Sequence, residues 1–130
     1  MNIQEVFQHL SMPKLNITCL ASCTLGLKEY EVEAYLTLLK KGAMTVGELA
    51  KNINKSRPSA QRILGELLGK GLVYRRREIF LNGGYVYYYS AIPAEKFREK
   101  MLKNLEEWYK RAGEIIKEMP IELEDDKIEQ

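Results

Sequence analysis

The apolar positions of this chain change period twice. Val46, Leu49, Ala50 and Ile53 recur at three- and four-residue steps, as do Ala60, Ile63, Leu64, Leu67 and Leu68. Both sets predict amphipathic helices. Thr45 and Glu48 open the first with the spacing of a capping box, in which hydroxyl and carboxylate satisfy helix-start N–H groups. Asn54 and Lys55 supply a turn. Ser56 is placed to cap the second helix, Pro58 falls in its first turn, and Gly71 can end it in a left-handed conformation. The layout suits a helix-turn-helix, whose second helix would lie in the DNA major groove, although two amphipathic helices joined by a turn also occur in many other all-α proteins. Upstream, Val32, Tyr35, Leu36 and Leu39 predict a helix over Leu27 to Lys41 that braces the pair, with Gly42 as its stop.

From Leu72 the period shortens. Val73 to Leu81 and Tyr85 to Ala91 are β-rich runs separated by Asn82-Gly83-Gly84, the pattern of a hairpin and hence of a wing. The four tyrosines of the second run read as core and strand formers rather than as a base-stacking platform. After Pro93 the helical period returns through Met119, and Pro120 ends it. Within that helix Met101, Leu105, Trp108, Ala112, Ile115 and Met119 alternate four- and three-residue steps, a seam of about two and a half heptads. Leu102, Tyr109 and Ile116 widen it. A stripe this long exceeds what a three-helix domain can cover, so it predicts a homodimer helix, with packing inside one chain as the rival.

The expected architecture is mainly α with a small β-hairpin. Residues 1–26 form an N-terminal helical extension, 27–92 a winged helix-turn-helix, and 93–119 the dimerisation helix. Residues 120–130 form a solvated acidic tail. The extension contains two candidate helices, Asn2 to Leu10 and Lys14 to Leu25, interrupted at Ser11-Met12-Pro13.

Charge sharpens the picture. The 130 residues carry +2 overall, yet Lys51 to Arg77 holds eight basic residues and one acid, Glu66, for +7. Positive charge is concentrated where a phosphate backbone would lie. The exposed face of the second helix presents Arg57, Ser59, Gln61 and Arg62. Arg57, Gln61 and Arg62 suit base edges, because Arg pairs with guanine and Gln with adenine. Thr45, Lys55, Ser56 and the wing residues Arg75, Arg76 and Arg77 suit phosphates. The three wing arginines alternate faces, so they cannot all meet DNA together.

Other chemistry finds little support. There is one histidine, no phosphate-binding glycine loop, no nucleophile elbow and no metal-ligand cluster, so neither an enzyme nor a cofactor or metal is expected. No apolar run approaches the ~20 residues of a membrane span, and the N-terminus does not read as a signal peptide, so a cytoplasmic protein is expected. Cys19 and Cys23, four apart, read first as small buried residues and second as a redox pair. Two rivals to a sequence-specific reader stand. One is a protein-interaction module, in transcription machinery or another assembly. The other is an architectural DNA binder without sequence preference.

The run LGLKEYEVEAYLTLL at Leu25 to Leu39 is similar to the opening helix of TrmB-like archaeal transcription regulators. The likeness continues through Gly42, Thr45 to Ala50, Ser56-Arg57-Pro58-Ser59, Gly71-Leu72-Val73 and YSAIPAE at Tyr89 to Glu95. It spans about Leu25 to Met119. The resemblance implies a winged helix-turn-helix that binds duplex DNA as a dimer. Its reading residues would fall on Ser56, Arg57, Ser59, Gln61 and Arg62. Many such regulators carry a C-terminal sugar-sensing domain, for which this sequence has no room, so sugar sensing is not carried over. The Gly83-Gly84-Tyr85 hairpin and Glu106-Glu107-Trp108-Tyr109 helix look closer to single-domain archaeal regulators of the early archaellum regulator type.

Overall fold

A computed structural model describes residues 15–122. The order of elements is α1 (Ile17–Leu25), α2 (Glu29–Lys41), α3 (Val46–Asn52), α4 (Arg57–Gly69), β1 (Val73–Ile79), β2 (Tyr85–Ala91) and α5 (Ala94–Lys117). The expected helix over Asn2 to Leu10 and most of the acidic tail lie outside the described residues.

The local signals act as their chemistry dictates. Ser56 Oγ accepts the Ser59 N–H at 3.2 Å, and Pro58 sits in the first turn of α4. At the other end Gly71 takes φ +71°, and the Leu72 N–H reaches back to the Leu67 carbonyl at 3.0 Å, closing the helix. Asn54, at φ +55°, makes the left-handed step between α3 and α4, which a short polar side chain tolerates. The Thr45 box forms only in part. Thr45 Oγ accepts the Glu48 N–H at 3.2 Å, but Glu48 receives the threonine hydroxyl at 3.1 Å. The return contact to backbone occurs instead at α2, where the Lys28 N–H donates to Glu31 at 2.8 Å.

Helices α2, α3 and α4 enclose one core. Val32, Tyr35, Leu38, Leu49, Ile63, Leu64, Leu67 and Leu72 are all but inaccessible. Each such aliphatic side chain contributes about 1.5–3 kcal/mol through burial. The predicted stripe of α2 is corrected at one place. Leu38 is buried and Leu39 is exposed, because the helix seats the face of Ala34, Tyr35 and Leu38 on its neighbours. Tyr35 stacks on Phe97 of α5, centroids 4.0 Å apart and rings 14° from parallel, and its hydroxyl donates to the Ile92 carbonyl at 2.7 Å.

Strands β1 and β2 pair antiparallel, from Val73 opposite Ala91 to Ile79 opposite Tyr85. Tyr89 also exchanges both backbone hydrogen bonds with Met44, at 2.8 and 3.0 Å, tying the hairpin to the segment before α3. Helix α1 packs on α2 and α5, and Asn104 donates to the Thr24 carbonyl at 2.8 Å. Phe97 is the only side chain that α5 buries fully. Beyond Met101 its apolar stripe faces outward.

Candidate nucleic-acid interface

Helix α4 buries one side and displays the other. Ala60, Ile63, Leu64 and Leu67 are sealed into the core, while Arg57, Gln61 and Arg62 are exposed and Ser59 is half-buried. These four therefore emerge from the N-terminal half of one helix face, as the sequence predicts. Lys51 and Lys55 are exposed beside them, at the end of α3 and in the turn. Lys55 Nζ lies 5.5 Å from the centre of the Tyr30 ring, and Lys28 Nζ lies 5.8 Å from it. Tyr30 thus gathers two cations beside the turn, a cluster that no motif announces.

Two predicted phosphate contacts look different in three dimensions. The Thr45 and Ser56 hydroxyls both take part in helix caps. Thr45 donates its one proton to Glu48, and Ser56 lies 2.9 Å from Ser59 Oγ. Their helix-start geometry, rather than a free hydroxyl, is what they bring to the surface.

The wing separates its arginines by face. Arg75 and Arg77 share a side with Tyr85, Tyr87 and Tyr89; Arg76 lies on the other with Tyr88 and Glu78. Arg76 sits 3.4 Å from the Glu78 carboxylate, which balances its charge. Arg75 lies 4.1 Å from the centre of the Tyr87 ring, and Arg77 lies 5.3 Å from that of Tyr85. A hydrogen bond to Tyr89 holds the Arg75 pKa above its ordinary value. Arg75 and Arg77 are therefore backed by rings rather than by carboxylates.

Beside Arg62 and Tyr30, the Glu31 carboxylate is buried; it accepts the Lys28 N–H at 2.8 Å and stands 4.0 Å from Lys70 Nζ, which also donates to the Gly26 carbonyl at 2.9 Å. The cysteines depart from the expectation of two buried residues. Cys23 is exposed and Cys19 half-buried, because α1 lies on the surface of the domain. Burial, together with the neighbouring Cys23 thiol, pushes the Cys19 thiol up. On α5, Met101 and Ala112 are half-buried, whereas Leu105, Trp108 and Ile115 are exposed; the helix ends at Lys117, so Met119, expected within it, lies beyond it and is exposed too.

Residues 22–95 match the family of the sugar-specific transcriptional regulator TrmB. The chain belongs to the TrmB family. A relative, protein MJ1503 of Methanocaldococcus jannaschii, is 34% identical over 103 residues, spanning 79% of this chain and 78% of its own length. Among solved structures, a possible transcriptional regulator from Methanosarcina mazei superposes with a TM-score of 0.73. It is 22% identical, and the match covers 83% of this chain and 92% of that one. A MepR mutant from S. aureus, bound to an oligodeoxyribonucleotide, matches with a TM-score of 0.54 at 15% identity, covering 100% of this chain and 90% of its own. The chain is thus a TrmB-family transcription regulator with a winged-helix fold. Among the described residues no helix is long and apolar enough to cross a membrane.

Proposed function

We propose that this TrmB-family chain reads a specific duplex DNA sequence as a homodimer. The observation that carries the reading is α4, with one face wholly buried and Arg57, Ser59, Gln61 and Arg62 projecting from the other. Arg57, Gln61 and Arg62 take base edges in the major groove. Lys51 and Lys55 hold the backbone beside the turn, and Arg75 and Arg77 hold it from the wing. The exposed stripe of α5 supports self-association. The helix has 24 residues, so it is about 36 Å long. Leu105, Trp108, Tyr109, Ile115 and Ile116 offer an apolar seam that the described residues leave open. Pairing along that seam sets two α4 helices on one duplex, at half-sites about one turn apart.

The test is selection from random duplex DNA at increasing salt, with sequencing of what remains bound. A near-palindromic motif with half-sites about ten base pairs apart supports the reading. Retention without an enriched motif makes the protein an architectural binder. No retention at low salt moves it to protein recognition.

A further inference from the structure

The tip of the wing is apolar where turns are normally polar. Ile79 is 68% exposed, Phe80 48%, Leu81 fully, and Tyr85 57%. The turn itself is made by Asn82, Gly83 and Gly84, with both glycines at positive φ. Its backbone is closed: Phe80 N–H donates to the Gly84 carbonyl at 3.0 Å, and Gly83 N–H to the Phe80 carbonyl at 3.2 Å. Phe80 and Leu81 are thereby held at the apex of a defined hairpin. Val73, at the root, is buried, and six strand steps separate it from Ile79, a reach of about 20 Å. Nothing in the hairpin covers Leu81.

The flanks identify the occupant. Arg75 and Arg77 lie over tyrosine rings, and the single acid of the hairpin, Glu78, is paired with Arg76. A hairpin that is cationic along one face and apolar at its end complements a groove with an anionic rim and an apolar interior. The minor groove of duplex DNA has that form, with phosphates at its edges and stacked bases at its floor. At about 6 Å wide it admits a hairpin tip but not a helix.

We propose that Phe80 and Leu81 form a wedge that enters the minor groove beside the α4 site and partly unstacks one base step. The inference rests on the duplex-binding reading above and adds to it a deformation of the DNA. Apolar side chains inserted in this way kink a duplex by about 20–90° toward the major groove. The energy required depends on the step being opened, and pyrimidine–purine steps such as TA and CA open most readily. The wing therefore selects sequence without a hydrogen bond to any base. Arg75 and Arg77, on one face of the hairpin, hold the phosphates of one rim while the tip does so.

The experiment uses the full chain and duplexes carrying the selected motif, or random-sequence duplexes if no motif emerges. 2-Aminopurine replaces adenine at successive positions, and end-labelled versions report end-to-end distance by energy transfer. The wild type is expected to brighten 2-aminopurine several-fold at a step flanking the α4 site and to shorten the end-to-end distance. The double variant Phe80→Ser with Leu81→Ser should lose both signals while keeping its salt dependence, since the phosphate contacts remain. Leu81→Phe should retain both. Leu81 is fully exposed and Phe80 half so, and circular dichroism verifies that the serine variant is folded. Wild-type binding to a straight duplex with no brightening at any position overturns the wedge and leaves the duplex-binding reading standing. Absence of binding by the wild type removes both. Loss of self-association by the serine variant without DNA present, with 2-aminopurine unaffected, assigns the tip to a protein partner and overturns the proposal.

Discussion

Replacing Tyr35 by phenylalanine removes a single oxygen from the centre of the domain. The ring keeps its stack on Phe97 at 4.0 Å, so packing is preserved. What disappears is the 2.7 Å hydrogen bond to the Ile92 carbonyl, just ahead of α5. The Ile92 carbonyl is half-buried, so leaving it without its donor costs at most about 1–3 kcal/mol. The same hydroxyl also makes a prediction about pH. Burial raises the Tyr35 pKa from 10.0 to about 12. Folding therefore holds the proton more tightly than the unfolded chain does. The associated stability is fully present below pH 10 and drains away as pH rises to about 12, by up to about 3 kcal/mol. Urea unfolding followed by circular dichroism at a series of pH values measures both effects. At neutral pH the wild type should have the higher midpoint with an unchanged slope. Through the alkaline range its advantage over Tyr35→Phe should shrink and close. An advantage that stays constant across that range would show that the phenol is not held protonated by burial, and equal midpoints at neutral pH would show that the Ile92 carbonyl finds another donor.

Arg57→Ala should cost about 1–3 kcal/mol on the selected sequence and relax base choice at one position per half-site; equal weakening on all sequences would make it a phosphate contact. Arg77→Gln should weaken binding on every duplex and lower the salt slope by about one, whereas the double change Arg76→Gln with Glu78→Gln, which preserves net charge, should leave the slope in place. Trp108→Ala should raise the dimer dissociation constant roughly thirty-fold or more in sedimentation, as loss of about 2 kcal/mol from an interface anchor does; a wild type that is monomeric at every concentration removes the seam from the account. A maleimide should label exposed Cys23 before Cys19, whose thiol burial holds in the protonated form; equal rates would place both thiols in solvent.

The elements that the sequence revealed best are those whose periodicity and caps agree. Helix α4 is one: four buried positions at three- and four-residue steps, a serine at its start, a proline in its first turn and a left-handed glycine after it. The hairpin is another, because Asn82-Gly83-Gly84 interrupts two β-rich runs. Adjacent leucines defeat this logic. Leu38 and Leu39 each fit the stripe of α2, and only the helix's seating on its neighbours separates them. Glu31 reads as a solvated carboxylate in an acidic stretch, yet it is buried to receive the Lys28 N–H. The interface was legible to a similar depth. Alternation on a strand separates Arg76 from Arg75 and Arg77, but the charge balance with Glu78 depends on side-chain direction. Phe80 and Leu81 look like the end of a strand, and only the position of the turn makes them an apex. The Lys28 and Lys55 cluster joins residues distant in sequence through the Tyr30 ring, and no local pattern encodes it.

The paired backbone hydrogen bonds between Met44 and Tyr89 make the hairpin a cantilever. It is clamped at Tyr89, four residues past the start of β2; Tyr87 still packs against the core, and the hairpin extends beyond it towards Tyr85. Deflection of such a beam grows with distance from its clamp. Amide exchange should consequently be slowest at Tyr89 and quicken towards Tyr85, and the amplitude explored by the apex is governed at the root. A substitution that loosens the Met44 bridge therefore alters how wide a volume the tip sweeps.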